Sequence, residues 1–553
     1  MKKRNRKIRS AMAAALAVSM VAAPCSSALA ASTSDEITQR EIDNAALARE
    51  AAGQGMVLLE NENHTLPLKT KKLALFGSGA VRTIKGGFGS GDPFNGGLSG
   101  GGSWDVDLNE RYNIHIYNTF KKAGYDIVNS DMLDAYADAY DAQHKIEGNS
   151  TMNCFKFPEM EITDEELADA SADSDTAIYV ISRNAGEGTD RTLTGTKGTY
   201  NGESYDIGDY YLTDLERENL ERVAASFKKT IVVLNVGGIM DTKFYNEING
   251  LDAMLLMGQA GQEGGNALLD VLTGAVTPSG KLADTWAENY SDYPASDTFA
   301  NADGNVKKEV YNEGIYVGYR YFDTFNITPK YEFGYGLSYT DFKIETQSVT
   351  ADADKVTVKV KVTNTGSTYS GKEIVQVYYS APDGIMEKPT QELAGFAKTK
   401  LLAPGEKDVV TITFATIDTA SFDAYDAAWV MEEGEYTIRV GNSSRNTEAV
   451  AVIDLDEQVT TLQLKRLMRD TIAVRELHHM IPIFDIEFDF GVPAIPFRIM
   501  LQAENFKKEL VEYEVMRRTL MDKRKDEVLT LEDVKAGNAT LDELTAQLTV
   551  EEM

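Results

Sequence analysis

The chain has 553 residues, 43% of them apolar and 25% charged, which is enough for about two to four domains with sizeable cores. Its formal net charge of −31 excludes nucleic acid and anionic membrane surfaces as natural partners, because binding phosphate needs a concentrated cationic face. A neutral or cationic ligand fits better.

The first thirty residues are a separate object. "MKKRNRKIRS" carries six Lys and Arg and no acid, an apolar "AMAAALAVSMVAA" follows, and Ala28-x-Ala30 has the small-residue spacing of a cleavage site. This predicts a Sec-type signal peptide over 1–30 and an exported protein that is secreted or held in the cell envelope. Cys25 lies in "VAAPCSS", where Pro24 replaces the small residue usual before a lipidated cysteine. With Cys25 removed only Cys154 remains, so no intramolecular disulfide is expected and an apolar core must hold the fold. No later run spans a membrane, since "IPIFDIEFDFGVPAIPFRIML" is interrupted by Asp485, Glu487, Asp489 and Arg498.

From about residue 40 to 340 helix and strand patterns alternate. "NAALAREAAGQGMVLLEN" reads as a helix, "KLALFGSG" as a buried strand running into glycines, and "AIYVISR" as another strand. "LTDLERENLERVAASFK" reads as a helix, and both Thr213/Glu216 and Thr163/Glu166 have capping-box spacing. The strand "TIVVLNVGG", the apolar run "AMLLMGQAG" and the helix "QEGGNALLDVLTG" follow, closed by "TPSGKL". Short all-apolar strands between amphipathic helices mean a mostly parallel sheet covered on both faces. Ligands of such sheets sit beyond the carboxyl ends of the strands, which puts the glycine loops after "KLALF" and "AIYVIS" on one rim. In the second of these, "RNAGEGTDR", Glu187 stands between two glycines, a setting that allows sharp turning and close approach of a ligand. A local pairing with Arg183 or Arg191 is the plain alternative.

Residues 345–455 change character. "KVTVKVKVT" alternates strictly, with Val356, Val358, Val360 and Val362 on one side, and "EIVQVYYS", "DVVTITF" and "EYTIRVGNSS" continue with turns between them. This is an antiparallel sandwich of immunoglobulin-like size. From 457 onward the chain reads as charged and helical, and "ATLDELTAQLTVEEM" opens an amphipathic helix.

The runs "IKGGFGSGDP", "RNAGEGTDR", "GQEGGNALLDVLTGAVTPSGKL", "NEGIYVGYRYFDT", "YEFGYGLSYTDF", "SGKEIVQVYYSAP" and "KPTQELAGFAKTKLLAPGE" together resemble the second and third domains of glycoside hydrolase family 3, in its β-glucosidase group, over about residues 44–455. The resemblance implies a mostly parallel α/β sandwich domain at 31–340, a fibronectin type III-like β-sandwich at 341–456, and a helical C-terminal segment at 457–553 made of a linker and the start of a barrel domain. "LTVEEM" is similar to the helix that introduces the family's barrel, so the domain order looks swapped, with the barrel cut off or carried by a separate chain. The implied activity is exo-acting hydrolysis of terminal β-linked sugars with retention, on an oligosaccharide or β-glucoside substrate, without metal or cofactor. Two carboxylates do this work in the family, one attacking the anomeric carbon and one acting as acid and then base. Glu187 matches the acid/base glutamate, and Ser90 in "GGFGSGD" matches a sugar contact. The nucleophilic aspartate belongs to an "SDW"-like motif in the barrel and has no counterpart here; Asp292 in "YSDYP" falls in an ordinary loop of the family. A non-catalytic carbohydrate-binding or scaffolding protein that kept these domains is the alternative.

Other features weigh less. "GGFGSGD" lacks the Lys-Ser/Thr of a phosphate loop. His478 and His479 are adjacent rather than spaced for one helical face, which argues against a metal site. Tyr316, Tyr319, Tyr321, Phe322, Phe333, Tyr335 and Tyr339 read as packing between the sheet domain and the sandwich rather than as a sugar-stacking platform. Glu263 in "GQEGG" opens a helix, where the dipole favours a carboxylate.

Overall fold

The computed structural model of the protein describes residues 37–86, 114–147, 156–184, 192–299, 304–466, 476–479, 495–511, 528–545 and 547. The signal-like segment 1–30, Cys154 and the "LTVEEM" motif lie outside these.

A six-stranded sheet organises the first half. Its strands are β1 (Val57–Asn61), β2 (Lys72–Phe76), β3 (Asp126–Ile127), β4 (Thr176–Arg183), β7 (Lys229–Val236) and β8 (Ala253–Leu256), with the small hairpin β5 (Thr196–Tyr200) and β6 (Glu203–Ile207) set between β4 and β7 in the chain. The order across the sheet is β1-β8-β7-β4-β2-β3. All neighbours run parallel except β1, which pairs antiparallel with β8. Alternate residues of the apolar strands face opposite cores. Phe76, Tyr179, Ile181, Val232 and Leu234 pack under the helices Asp164–Asp173 and Asp214–Ser226, while Leu75, Ile178, Val180, Ile231 and Val233 pack under Ile116–Lys122 and Gly264–Thr273. Both capping boxes expected from the sequence form, at Thr163/Glu166 and at Thr213/Glu216.

The first expected helix is shorter than its pattern. It spans Gln39–Gly55, and "VLLEN" is instead the edge strand β1. Gly53 and Gly55 weaken the last turn, and the apolar run gains more by burial and by pairing with β8 than by winding on as helix.

The second half is a β-sandwich. Three strands, Phe342–Ala351, Lys355–Asn364 and Lys407–Ala415, face a five-stranded sheet that includes Ile374–Ser380, Gly434–Gly441 and Thr447–Leu455. Val356, Val358, Val360 and Val362 are all fully buried between them, as their alternation requires. Each such valine contributes about 1.5–3 kcal/mol relative to exposure. Beyond 457 the chain is less helical than its composition suggests. Val459–Gln463 pairs with Ala428–Met431, and Phe497–Leu501 adds to the five-stranded sheet beside Thr447–Leu455. Pairing with existing strands outweighs the helical tendency there; short helices appear at Leu531–Lys535 and Leu541–Thr545. Among the described residues no helix is long and apolar enough to cross a membrane.

The two halves meet through a polar seam. Lys281 pairs with Glu373 at 3.1 Å, the carboxylate buried and the lysine nearly so. Gln376 donates to the carbonyls of Gly334 and Asn442, and Asp323 receives Gln391 and Arg445. Several of the aromatic residues fill the same seam. Tyr319 packs at a tilt against Phe333 and edge-to-face against Tyr378 and its hydroxyl accepts the Leu393 amide, while Tyr335 and Tyr339 donate to the backbone of Leu59 and Val271 within the sheet half.

Candidate active-site rim

The strand order reverses between β2 and β4. From β2 the chain moves outward to β3, then returns to β4 on the other side and continues to β7 and β8. Such a switch point leaves a crevice outside the carboxyl ends of two adjacent strands that no crossover helix fills. The segment holding Ser90 follows β2 and the segment holding Glu187 follows β4. Ser90 and Glu187 themselves, in 87–113 and 185–191, lie outside the described residues, as does Arg191; the stems of both segments are described.

After β2 the backbone turns at Gly77, whose φ of 86° and near contact with the Val180 carbonyl exclude a side chain. The turn leads to Ser78, Arg82 and Ile84. Asn235, fully buried near the end of β7, staples this stem. Its carbonyl oxygen accepts the Ile84 amide at 2.7 Å and the Ser182 hydroxyl at 3.3 Å, and its amide nitrogen donates to the carbonyls of Ile84 and Gly258 at 2.8 Å each. At the far end of the same segment, His115 Nδ1 accepts the Thr83 amide at 3.1 Å, and the Thr83 hydroxyl accepts the Ile116 amide. Burial, helped by the charges of Arg82 and Lys85, pushes His115 down to about 3, so the ring is neutral and free to accept.

Arg183 closes β4. Its side chain is buried against Glu216, with Nη1 and Nη2 at 2.6 and 2.8 Å from the two carboxylate oxygens. Nε donates to the Asp209 carbonyl at 2.8 Å, Nη1 to the Ser182 carbonyl and Nη2 to the Tyr211 carbonyl. All five guanidinium donors thus have partners among the described residues.

Between the stems a cavity of about 210 Å³ opens, lined by Ser78, Arg82, Tyr140, Lys156, Asn184 and Asp209 among others. Beyond Thr192 a second, mainly aromatic cavity of about 340 Å³ is walled by Leu193, Tyr210, Tyr290, Tyr293 and Phe299. Polar groups beside aromatic faces are suited to neutral, hydroxyl-rich ligands.

Glu159 sits behind Ser78, one of the residues lining the first cavity. It accepts the Ser78 amide, yet burial, and then the charge of Glu216, push it up to about 7. The folded chain therefore keeps a proton there that the unfolded chain releases from its ordinary value of 4.5 upward. Stability from this group is complete below about pH 4.5 and is lost as pH rises to about 7. Glu159→Gln, neutral throughout, is expected to melt with the parent near pH 4 and at least about 2 °C above it at pH 8. Parallel melting curves across that range would contradict the assignment.

The lesser sequence candidates have structural partners. Asp292 accepts the Asn289 amide in a 3-10 turn, and Glu263 precedes the helix Gly264–Thr273 and accepts from Asn266. His478 Nδ1 meets Glu387 at 2.8 Å, and Tyr316 donates to the same carboxylate. Sequence reasoning missed Asn235 and His115. The signal for Asn235 was available, an amide near the end of the otherwise apolar "TIVVLNVGG".

Residues 56–319 match the Glycosyl hydrolase family 3 C-terminal domain, and residues 373–444 match the Fibronectin type III-like domain. The chain therefore carries the C-terminal α/β domain of glycosyl hydrolase family 3 followed by a fibronectin type III-like sandwich. It is 39% identical over 435 residues to Beta-glucosidase A of Butyrivibrio fibrisolvens, covering 72% of this chain and 50% of that protein. It is 34% identical over 524 residues to Beta-glucosidase of Ruminococcus albus, covering 91% and 49%. Among solved structures, beta-glucosidase 3B from Thermotoga neapolitana in complex with glucose superposes with a TM-score of 0.66 at 38% identity, covering 76% of this chain and 55% of that one. A beta-glucosidase from Paenibacillus barengoltzii gives 0.70 at 33% identity, covering 92% and 53%. The chain spans about half the length of these relatives.

Proposed function

We propose that this chain supplies the acid/base half of a retaining, exo-acting β-glucosidase. Glu187 protonates the departing glycosidic oxygen and then deprotonates the attacking water, and Ser90 contacts the sugar. The nucleophilic aspartate comes from a barrel domain, joined after this chain's own segments in a swapped order or carried by a separate chain. The observation that carries the reading is the switch point. The stems of the Ser90 and Glu187 segments leave adjacent parallel strands, β2 and β4, at the carboxyl rim where ligands of such sheets bind. The names of the relatives support the substrate class.

Retaining hydrolysis needs two carboxyl groups about 5 Å apart, and this chain provides one. The purified 553-residue chain is expected to hydrolyse nitrophenyl β-glucoside no faster than background. Supplied with a barrel domain bearing an "SDW"-like motif, it is expected to turn the substrate over with retention. Robust turnover by the chain alone, or none after a barrel is supplied, would count against the proposal. Sugar binding without turnover in both cases is the outcome expected of a carbohydrate-binding or scaffolding protein. The mature form is expected to begin near Ala31, outside the cytoplasmic membrane, which amino-terminal sequencing checks.

A further inference from the structure

We propose that Arg183, Glu216 and Asp209 form a positioning clamp that sets the two stems of the segment carrying Glu187; the inference rests on the catalytic reading of that residue. Asp209 serves both stems at once. Its carbonyl accepts Arg183 Nε from the β4 side, and its carboxylate accepts the backbone amide and hydroxyl of Thr192 from the other. The Thr192 and Leu193 carbonyls in turn accept the amides of Tyr210 and Tyr211. Residues 183 and 192 are thereby tied to a single short stretch, 209–211.

Glu216 locks that stretch to the body of the domain. One carboxylate caps the helix Asp214–Ser226, accepting the Thr213 amide and hydroxyl, and also holds Arg183 in a two-point grip. Gly208 lies against the pair, since any Cβ there would collide with the Arg183 guanidinium and the Glu216 carboxylate. Burial of this ion pair is not an efficient source of stability, because well-packed apolar residues do as well or better. What apolar residues cannot supply is a fork of directed donors reaching the carbonyls of Ser182, Asp209 and Tyr211 together. That is a device for geometry.

The test is amide hydrogen exchange on the full 553-residue chain, read at Thr192, Tyr210 and Tyr211. The double variant Arg183→Met/Glu216→Leu removes both charges and strands neither; because it also removes the Glu216 cap on Thr213, exchange in the helix Asp214–Ser226 is read alongside to separate loss of the cap from loss of the clamp. The clamp predicts exchange at those amides at least about tenfold faster in the folded double variant, with β2 and β7 unchanged. Arg183→Lys, which keeps the charge and loses the fork, is expected to loosen the same amides. If the double variant does not fold, Asp209→Ala decides the matter, because it removes the Thr192 acceptor and leaves the Arg183–Glu216 pair intact. Parental exchange at Thr192 in a folded variant overturns the clamp. In a barrel-bearing form, Asp209→Ala is expected to lower kcat by about a hundredfold on poor leaving groups with little change in KM, and an unchanged kcat would overturn the positioning role. If Glu187→Ala is harmless in that form, the catalytic reading fails while the exchange result still judges the clamp.

Discussion

Glu187→Ala, made in a form of the protein that carries a barrel domain, is expected to slow cellobiose hydrolysis by about a hundred- to ten-thousandfold, the usual worth of general acid catalysis. Dinitrophenyl glucoside should lose far less in its first step, because its leaving group departs without a proton and the barrel aspartate attacks unaided. Azide should then restore the second step, since a small anion enters the space left by the carboxylate and needs no general base. A glutamate that merely braces its own loop predicts equal losses on both substrates and no rescue. Equal losses without azide rescue, in a variant shown to be folded, would remove Glu187 from the mechanism.

The largest expected effect on stability is at Asn235. Asn235→Ala deletes four hydrogen bonds and leaves the amide and carbonyl of Ile84 and the carbonyl of Gly258 without this partner in a partly buried setting. Each orphaned group costs about 1–3 kcal/mol, and partial relaxation with water entry brings the expected total to about 3–5 kcal/mol. Chemical denaturation followed in the sheet half measures it. A loss below about 1 kcal/mol would show that the strand ends hold together without the staple. In the barrel-bearing form the same change should also weaken sugar binding, because Ile84 leads directly into the segment with Ser90.

The strands β2, β4 and β7 were legible because burial on both faces of a parallel sheet leaves an unbroken apolar run, and the valines of 356–362 because a half-buried strand alternates; β8 was legible only as an apolar run. The capping boxes at Thr163 and Thr213 were legible because they are local. What stayed hidden depends on partners remote in the chain. Strand β1 exists because β8, nearly 200 residues on, offers it a ladder. Val459–Gln463 and Phe497–Leu501 are strands for the same reason. Glu216 looked like a capping residue and is one, but its grip on Arg183 joins positions 33 apart in sequence. Glu187 and Ser90 came from motif resemblance; the fold contributes the rim from which their segments rise.

The polar seam between the sheet half and the sandwich bears on how such a chain can be shuffled in evolution. Lys281 and Glu373, Gly334 and Gln376, Asp323 and Arg445 are partners drawn from opposite sides of any breakpoint between 340 and 370. A crossover there would give each daughter gene half of a matched set, with a lysine or a carboxylate left facing an unfamiliar surface. Breaks outside the pair of folds cut none of these contacts. The two folds should therefore be inherited as one cassette, free to be placed before or after another domain but resistant to being separated from each other.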